Sequence, residues 1–270
     1  MLEERRKLFW SVSFLDSMCG LQVKVPSIID DIHNPRYLVV QGMLQHTTAQ
    51  CPFLPQESYN DHGERSLRIW AHMVRMTSLW SEVRHYVSRC AEGQMRAPWQ
   101  PNSGYTLVNS HLLDMECSFP SFYRYDAAKF SDRAIEEILE KRQYWLPWMR
   151  VQITYHTIHS VLNHPFLYSS RASKPRPGPN AFWRTSSELA LLHSTWIARL
   201  IGMATKKGLT LADPFFAHAA AVAATLHSYW SRAVDSRVRT TAISNLEICR
   251  ACVTELGSHW PLCKAIVSQA

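Results

Sequence analysis

The sequence has little glycine and no long apolar run. Nine glycines in 270 residues, with few β-branched runs, argue against a sandwich or barrel, which needs frequent tight turns. No stretch reaches the ~20 apolar residues that a membrane-spanning helix needs. Phe215 to Leu226 comes nearest, and His218 interrupts it. There is no Gly-rich phosphate loop, no Gly-x-Ser-x-Gly elbow and no His-Glu-x-x-His, so the phosphate-cradling, serine-hydrolase and zincin chemistries have no signature here. Charge of one sign is never blocked. Lys and Arg are scattered, so the net charge of +7 reads as solvated surface rather than a nucleic-acid stripe. A secretory leader and a disulfide rhythm are both missing. The seven cysteines, Cys19, Cys51, Cys90, Cys117, Cys249, Cys252 and Cys263, read as reduced thiols of an intracellular protein.

What is present is apolar and aromatic. Hydrophobic residues make up 46%, charged residues 19%, and there are 10 tryptophans, enough for a large aromatic core in one domain. Apolar residues recur at helical spacing along most of the chain. A first helix is expected from Glu3 to Cys19 and a short one near Tyr37 to Leu44. Cys51 to Gly63 reads as loop. Ile69, Met73, Met76, Trp80, Val83 and Val87 then form one stripe. A helix follows at Leu107 to Met115, then a charged one around Glu136 to Arg142, with Ser131 or Asp132 as its cap. Pro147 is expected in the first turn of the next helix, which runs to His164 with apolar groups on two faces and therefore lies centrally. Ser169 to Pro179 is a basic, Pro-rich surface loop. Three helices complete the chain. The first carries Leu189, Leu192, Trp196, Leu200 and Met203. The second is capped at Asp213-Pro214 and is rich in alanine. The third carries Ala242, Leu246, Cys249, Val253 and Leu256 and stops at Gly257. No strand is expected. The fold class is all-α: an irregular bundle of roughly eight to ten helices in a single domain, 1–270.

Few residues point to chemistry. His156 and His159 are three apart and share a helix face, a spacing that zinc uses, but no carboxylate is near them on that face. They read as packed or hydrogen-bonded histidines, so no metal ligand is assigned, and His164 reads the same way. Cys249-x-x-Cys252 lies on an amphipathic helix without the strand-to-helix turn of a redox pair. Asp30-Asp31 reads as a solvated loop or a cap. No nucleophile or base stands out, so no catalytic residue and no cofactor is assigned. The alanine run at 219–224 reads as close helix packing. Beside Trp196 and Trp230 it also leaves room for a flat ligand, so His156, His159, Trp196 and Trp230 form the candidate pocket.

Four segments in order carry a resemblance. They are Arg5-Arg6-x-Leu8-Phe9-Trp10 with Leu15-Asp16, then Pro26-Ser27-Ile28-Ile29-Asp30-Asp31-Ile32, then Tyr155-His156 leading to Leu162-Asn163-His164-Pro165-Phe166-Leu167, and finally Leu256-Gly257-Ser258-His259-Trp260-Pro261. Together they resemble the fungal-specific transcription factor domain, the middle homology region of binuclear zinc-cluster regulators, from Glu3 to about Lys264. The resemblance implies a helical regulatory domain acting in the nucleus (the cytoplasm stays open) on genes of a metabolic or secondary-metabolite pathway. It implies as partners a second copy of the chain, a full-length regulator or a small-molecule effector. The chain departs from the family in two ways. No cysteine spacing matches the Cys-x-x-Cys-x6-Cys zinc cluster, so direct sequence-specific DNA contact is not expected. The helices that precede the Arg-Arg-x-Leu-Phe-Trp helix in the family are also missing, so a truncated domain with exposed core surface is expected. A helical small-molecule binder, or a cofactor-independent biosynthetic enzyme on the same scaffold, stays open as the alternative.

Overall fold

The computed structural model describes residues 61–93, 95–168, 179–260 and 263. The expected helices at Glu3 to Cys19 and Tyr37 to Leu44, Asp30-Asp31, and most of the Pro-rich loop lie outside the described residues. Among the described residues there are eight α-helices, three 3-10 turns and no strand. None of these helices is long and apolar enough to cross a membrane.

Helix α1 spans Asp61–Ala91. It starts inside the segment expected to be loop. Gly63 costs about 1 kcal/mol in a helix interior, too little to delay a helix of this length. Its stripe is buried as expected at Ile69, Met73, Met76, Trp80 and Val83, and it continues to Tyr86 and Cys90. Helix α2, Gly104–Ser118, is capped by Ser103, whose Oγ accepts from the Thr106 N–H. Its first residue is glycine for a packing reason: a Cβ there would lie 2.7 Å from Tyr86 Cδ2.

Helix α3, Tyr125–Ala128, is a single turn. Helix α4, Ile135–Glu140, carries no side-chain cap. Ser131 and Asp132, the expected caps, belong instead to a separate 3-10 turn at Phe130–Asp132. Phe130 fixes that turn, because its ring is fully buried and lies stacked on Trp148.

Helix α5, Arg142–Leu162, is the central one. Pro147, expected in its first turn, instead sits five residues inside. The helix therefore gives up one backbone hydrogen bond there, and packing around Trp145, Trp148 and Met149 offsets the loss. Burial on both faces holds: Trp148, Met149, Ile153, Ile158 and Leu162 are all fully enclosed. α1 packs against α5, and so do the next two helices.

Helix α6, Asn180–Lys206, buries a face that overlaps the expected set only in part: Leu200 is fully enclosed, and Trp196 and Met203 pack against the core. Ala190, His193, Ile197, Ala198, Ile201 and Ala204 point inward, while Leu192 is 50% exposed. Small residues win the inner face because α6 must approach three neighbours at once. It ends in a Schellman motif: Leu209 N–H bonds the Ala204 carbonyl at 2.9 Å and Gly208 takes φ 67°. Helix α7, Pro214–Trp230, begins as expected, with Asp213 accepting from Phe215 N–H and proline at the first position. Helix α8, Ser236–His259, is capped by Asp235. It does not stop at Gly257, which is buried within its last turn. α7 and α8 pack on each other, and α8 also touches α6.

Candidate functional site

A cavity of about 310 Å³ opens between α1, α2, α3, α5 and α6. Each element contributes for a local reason. α1 supplies Met76, part of its buried stripe. α2 supplies Met115 and Glu116 at its last turn. The chain then turns through Phe119 into α3, bringing Arg124, Tyr125 and Asp126 to the rim. α5 contributes Val151, Gln152, Tyr155 and His156, and α6 adds Leu192, His193 and Trp196. The spacings on the two long helices are one turn apart, so each presents a strip to the cavity.

The heart of the site is a cluster of rings. His156 Nδ1 and His193 Nδ1 are 2.8 Å apart. His156 lies parallel to Trp196, with centroids 5.5 Å apart at 3°. His159 stacks on His193 at 4.0 Å. Tyr155 stands edge-on to both His156 and His159. Tyr125 closes on Trp196 at 4.9 Å, and Arg199 lies 4.6 Å over the Trp196 ring. At the rim, Tyr155 donates to Glu116 Oε2 at 3.4 Å and Arg124 Nη2 donates to the Glu116 carbonyl.

The electrostatics follow from burial. Burial pushes the histidines down, His156 to about 3, His159 to about 4 and His193 to about 2, and neighbouring rings add to it at His156 and His193. All three are neutral at physiological pH. In a Nδ1–Nδ1 hydrogen bond between neutral imidazoles one ring donates and the other accepts. One Nε2 is then an acceptor and the other a donor. Burial and Glu116 raise the Tyr155 hydroxyl to about 12.

The structure brings three of the four expected pocket residues together. His156 and Trp196 line the cavity, and His159 packs behind His193. Trp230 is elsewhere, at the end of α7 against Tyr229. The α7 alanines do not reach the cavity. Ala219, Ala220, Ala223 and Ala224 are buried in the core. His193 was missed, although a histidine three residues before Trp196 on an apolar helix was a readable signal. Tyr125, Phe119 and Met115 had none, because only the tertiary fold brings them near.

The remaining candidates resolve into structure. His164 caps the Pro165–Leu167 turn and meets Thr225 Oγ1 at 3.0 Å, apart from the other histidines. Among the described residues no group of His, Cys, Asp or Glu is placed to hold a metal ion. His159, face to face with His193, cannot aim a lone pair at the point His193 would ligate. Cys249 and Cys252 are buried thiols pushed up to about 12, too weakly ionised for redox or nucleophilic work.

Known proteins of similar sequence are fungal. The chain is 23% identical, over 95% of its length, to an uncharacterized transcriptional regulatory protein of Schizosaccharomyces pombe, and covers 33% of that protein. It is 20% identical, over 73% of its length, to a Zn(2)-C6 fungal-type transcription factor of Fusarium oxysporum f. sp. lycopersici, and covers 18% of it. The chain thus spans a third or less of the length of these relatives. No family model matches it, and no solved structure does.

Proposed function

We propose that this chain is a regulatory region of a fungal transcription regulator, with the cavity between α1, α2, α3, α5 and α6 as its effector site. The alignment to a transcriptional regulatory protein over 95% of the chain carries the reading. The four segments that resemble the middle homology region, in the same order, support it, and so does the all-α architecture. The cavity has the character of a small-molecule site: apolar and aromatic walls with a few convergent polar groups. Ligand binding to the folded state would stabilise it and shift its population by mass action.

In this reading the chain works in the nucleus, on genes of a metabolic or secondary-metabolite pathway. It makes no base contacts of its own. A full-length regulator paired with the chain supplies the DNA contact. Fusing the chain to a heterologous DNA-binding domain and measuring a reporter in yeast tests this. Reporter output should differ from that of the DNA-binding domain alone, and Leu192→Trp, which blocks the cavity rim, should change it again. Output equal to the bare DNA-binding domain for both fusions would sink the reading.

A further inference from the structure

We infer that the cavity selects an uncharged, flat molecule carrying a hydroxyl or carbonyl oxygen, and rejects organic acids, with the His156–His193 pair as the polar wall that reads the oxygen. This rests on the reading of the cavity as an effector site.

Shape comes first. The parallel His156 and Trp196 rings stack on each other, and both line the cavity. Val151, Met76 and Met115 provide apolar lining of adaptable shape. A planar ring system buries the most area against such surfaces.

Charge decides the rest. Glu116, Arg124 and Asp126 are the charged residues of the lining, and all three are exposed at the rim. The buried part is neutral. An anion moving inward therefore leaves water without gaining a buried counter-charge. His193 is buried, so protonating it to meet an acid would hold a charge away from water. A cation fares no better: Arg199 already lies over the faces of Trp196 and Tyr125, where a ligand cation would otherwise bind.

The histidine pair supplies specificity. Whichever ring donates across the Nδ1–Nδ1 bond, the pair as a whole keeps one Nε2 donor and one Nε2 acceptor. A ligand hydroxyl suits either, since it both donates and accepts. A carbonyl suits the donor.

The test uses the full chain and three probes of one shape: 1-naphthol, naphthalene and 1-naphthoate, followed by calorimetry and thermal shift at neutral pH. 1-Naphthol should bind at least about tenfold more tightly than 1-naphthoate, a difference of about 1.4 kcal/mol. His193→Phe should reduce 1-naphthol to the affinity of naphthalene. Leu192→Trp, a substitution on the exposed rim that leaves the core intact, should weaken both neutral probes. If 1-naphthoate binds as tightly as 1-naphthol, the inference is overturned while the cavity remains a ligand site. If Leu192→Trp leaves 1-naphthol binding unchanged, the probe sits elsewhere and the inference fails. If no probe binds, it also fails, and the reporter fusion then decides the regulatory reading separately.

Discussion

Arg150 on α5 and Asp213 at the start of α7 meet at 2.6 Å, and Asp213 also caps α7 through the Phe215 N–H. One carboxylate thus ties the central helix to the start of its neighbour. Arg150 is almost fully buried and its guanidinium lies 3.5 Å over the Phe215 ring. Burial pulls Arg150 down to about 10 while Asp213 pulls the other way, so it stays charged at neutral pH. Asp213→Ala removes the cap, worth about 1 kcal/mol, and also strands a buried cation. The combined loss should reach about 3 kcal/mol or more. Arg150→Met removes the buried charge itself, and Asp213, partly exposed, can still cap α7. It should cost clearly less. Urea denaturation of both variants gives the order; the reverse order would refute a stranded charge as the main cost.

Gly104 sets two effects of opposite sign against each other. Alanine is the better helix former by about 1 kcal/mol in a helix interior, and less than that at a first residue. Against this, the new Cβ would meet the flexible Met95 Cε, which can move aside, and would lie 2.7 Å and 2.9 Å from two atoms of the buried Tyr86 ring. Tyr86 cannot swing away freely, because its hydroxyl donates to Tyr168. Overpacking of this kind costs about 1–3 kcal/mol. Gly104→Ala should therefore destabilise, and a raised melting temperature would show that the ring yields.

Much of the fold could be read from sequence because its signals are local. The α1 stripe and the Asp213-Pro214 cap are set by residues within one or two turns. The misreadings have tertiary causes. Leu192 belonged to the most apolar face of α6 in sequence, yet close approach to α5, α7 and α8 favours the alanines, which leaves Leu192 at the cavity rim. Pro147 looked like a helix start, but the tryptophans around it extend helix on its N-terminal side. The candidate site was half legible. His156 and His159 stood out by spacing, while His193 joined them only through the α5–α6 packing. Trp230 joins them in sequence only through its place beside the alanine run, and α7 carries it to another part of the molecule.

The segment Leu162 to Leu167, part of the family resemblance, is a structural junction. Asn163 ends α5, accepts from Tyr105 Oη at 3.1 Å and from Ser186 Oγ at 3.0 Å, and donates to the His159 carbonyl. It therefore joins α2, α5 and α6 just behind the ring cluster. Asn163→Ala takes the side-chain acceptor from Tyr105 and Ser186, while the His159 carbonyl keeps the Asn163 backbone N–H, and each unsatisfied buried group costs about 1–3 kcal/mol. Asn163→Asp keeps both acceptor bonds but loses the donor and buries a charge, so it should be no better tolerated. Chemical denaturation compares the two. Full stability in either variant would remove the junction role.

The cysteines divide by exposure. Cys117 is exposed, whereas Cys90, Cys249, Cys252 and Cys263 are buried, and burial raises the thiols of Cys90, Cys249 and Cys252. With Cys19→Ser and Cys51→Ser in place, a disulfide-exchange reagent should label one thiol quickly under native conditions and the other four only on unfolding. Fast labelling of Cys249 or Cys252 would revive the redox reading of Cys-x-x-Cys.

Acid should loosen the protein through the ring cluster. The unfolded chain binds protons at His156, His159 and His193 near 6.5, the folded chain only near about 3, about 4 and about 2. Between those limits the unfolded state holds more protons, so stability falls as pH drops from 6.5 toward 4. Above 6.5 these groups contribute no slope. Each ring adds about 1.4 kcal/mol per pH unit once the unfolded state is fully protonated. Other titrating groups, His218 and the surface carboxylates among them, are common to the wild type and a His193→Phe variant, and largely cancel in the difference. The variant should lose a smaller share of its stability across that window, by about one ring's slope. Urea midpoints measured across it read the difference directly. Parallel curves would mean that His193 is protonated in the folded state, and the neutral wall assigned to the cavity would then be wrong as well.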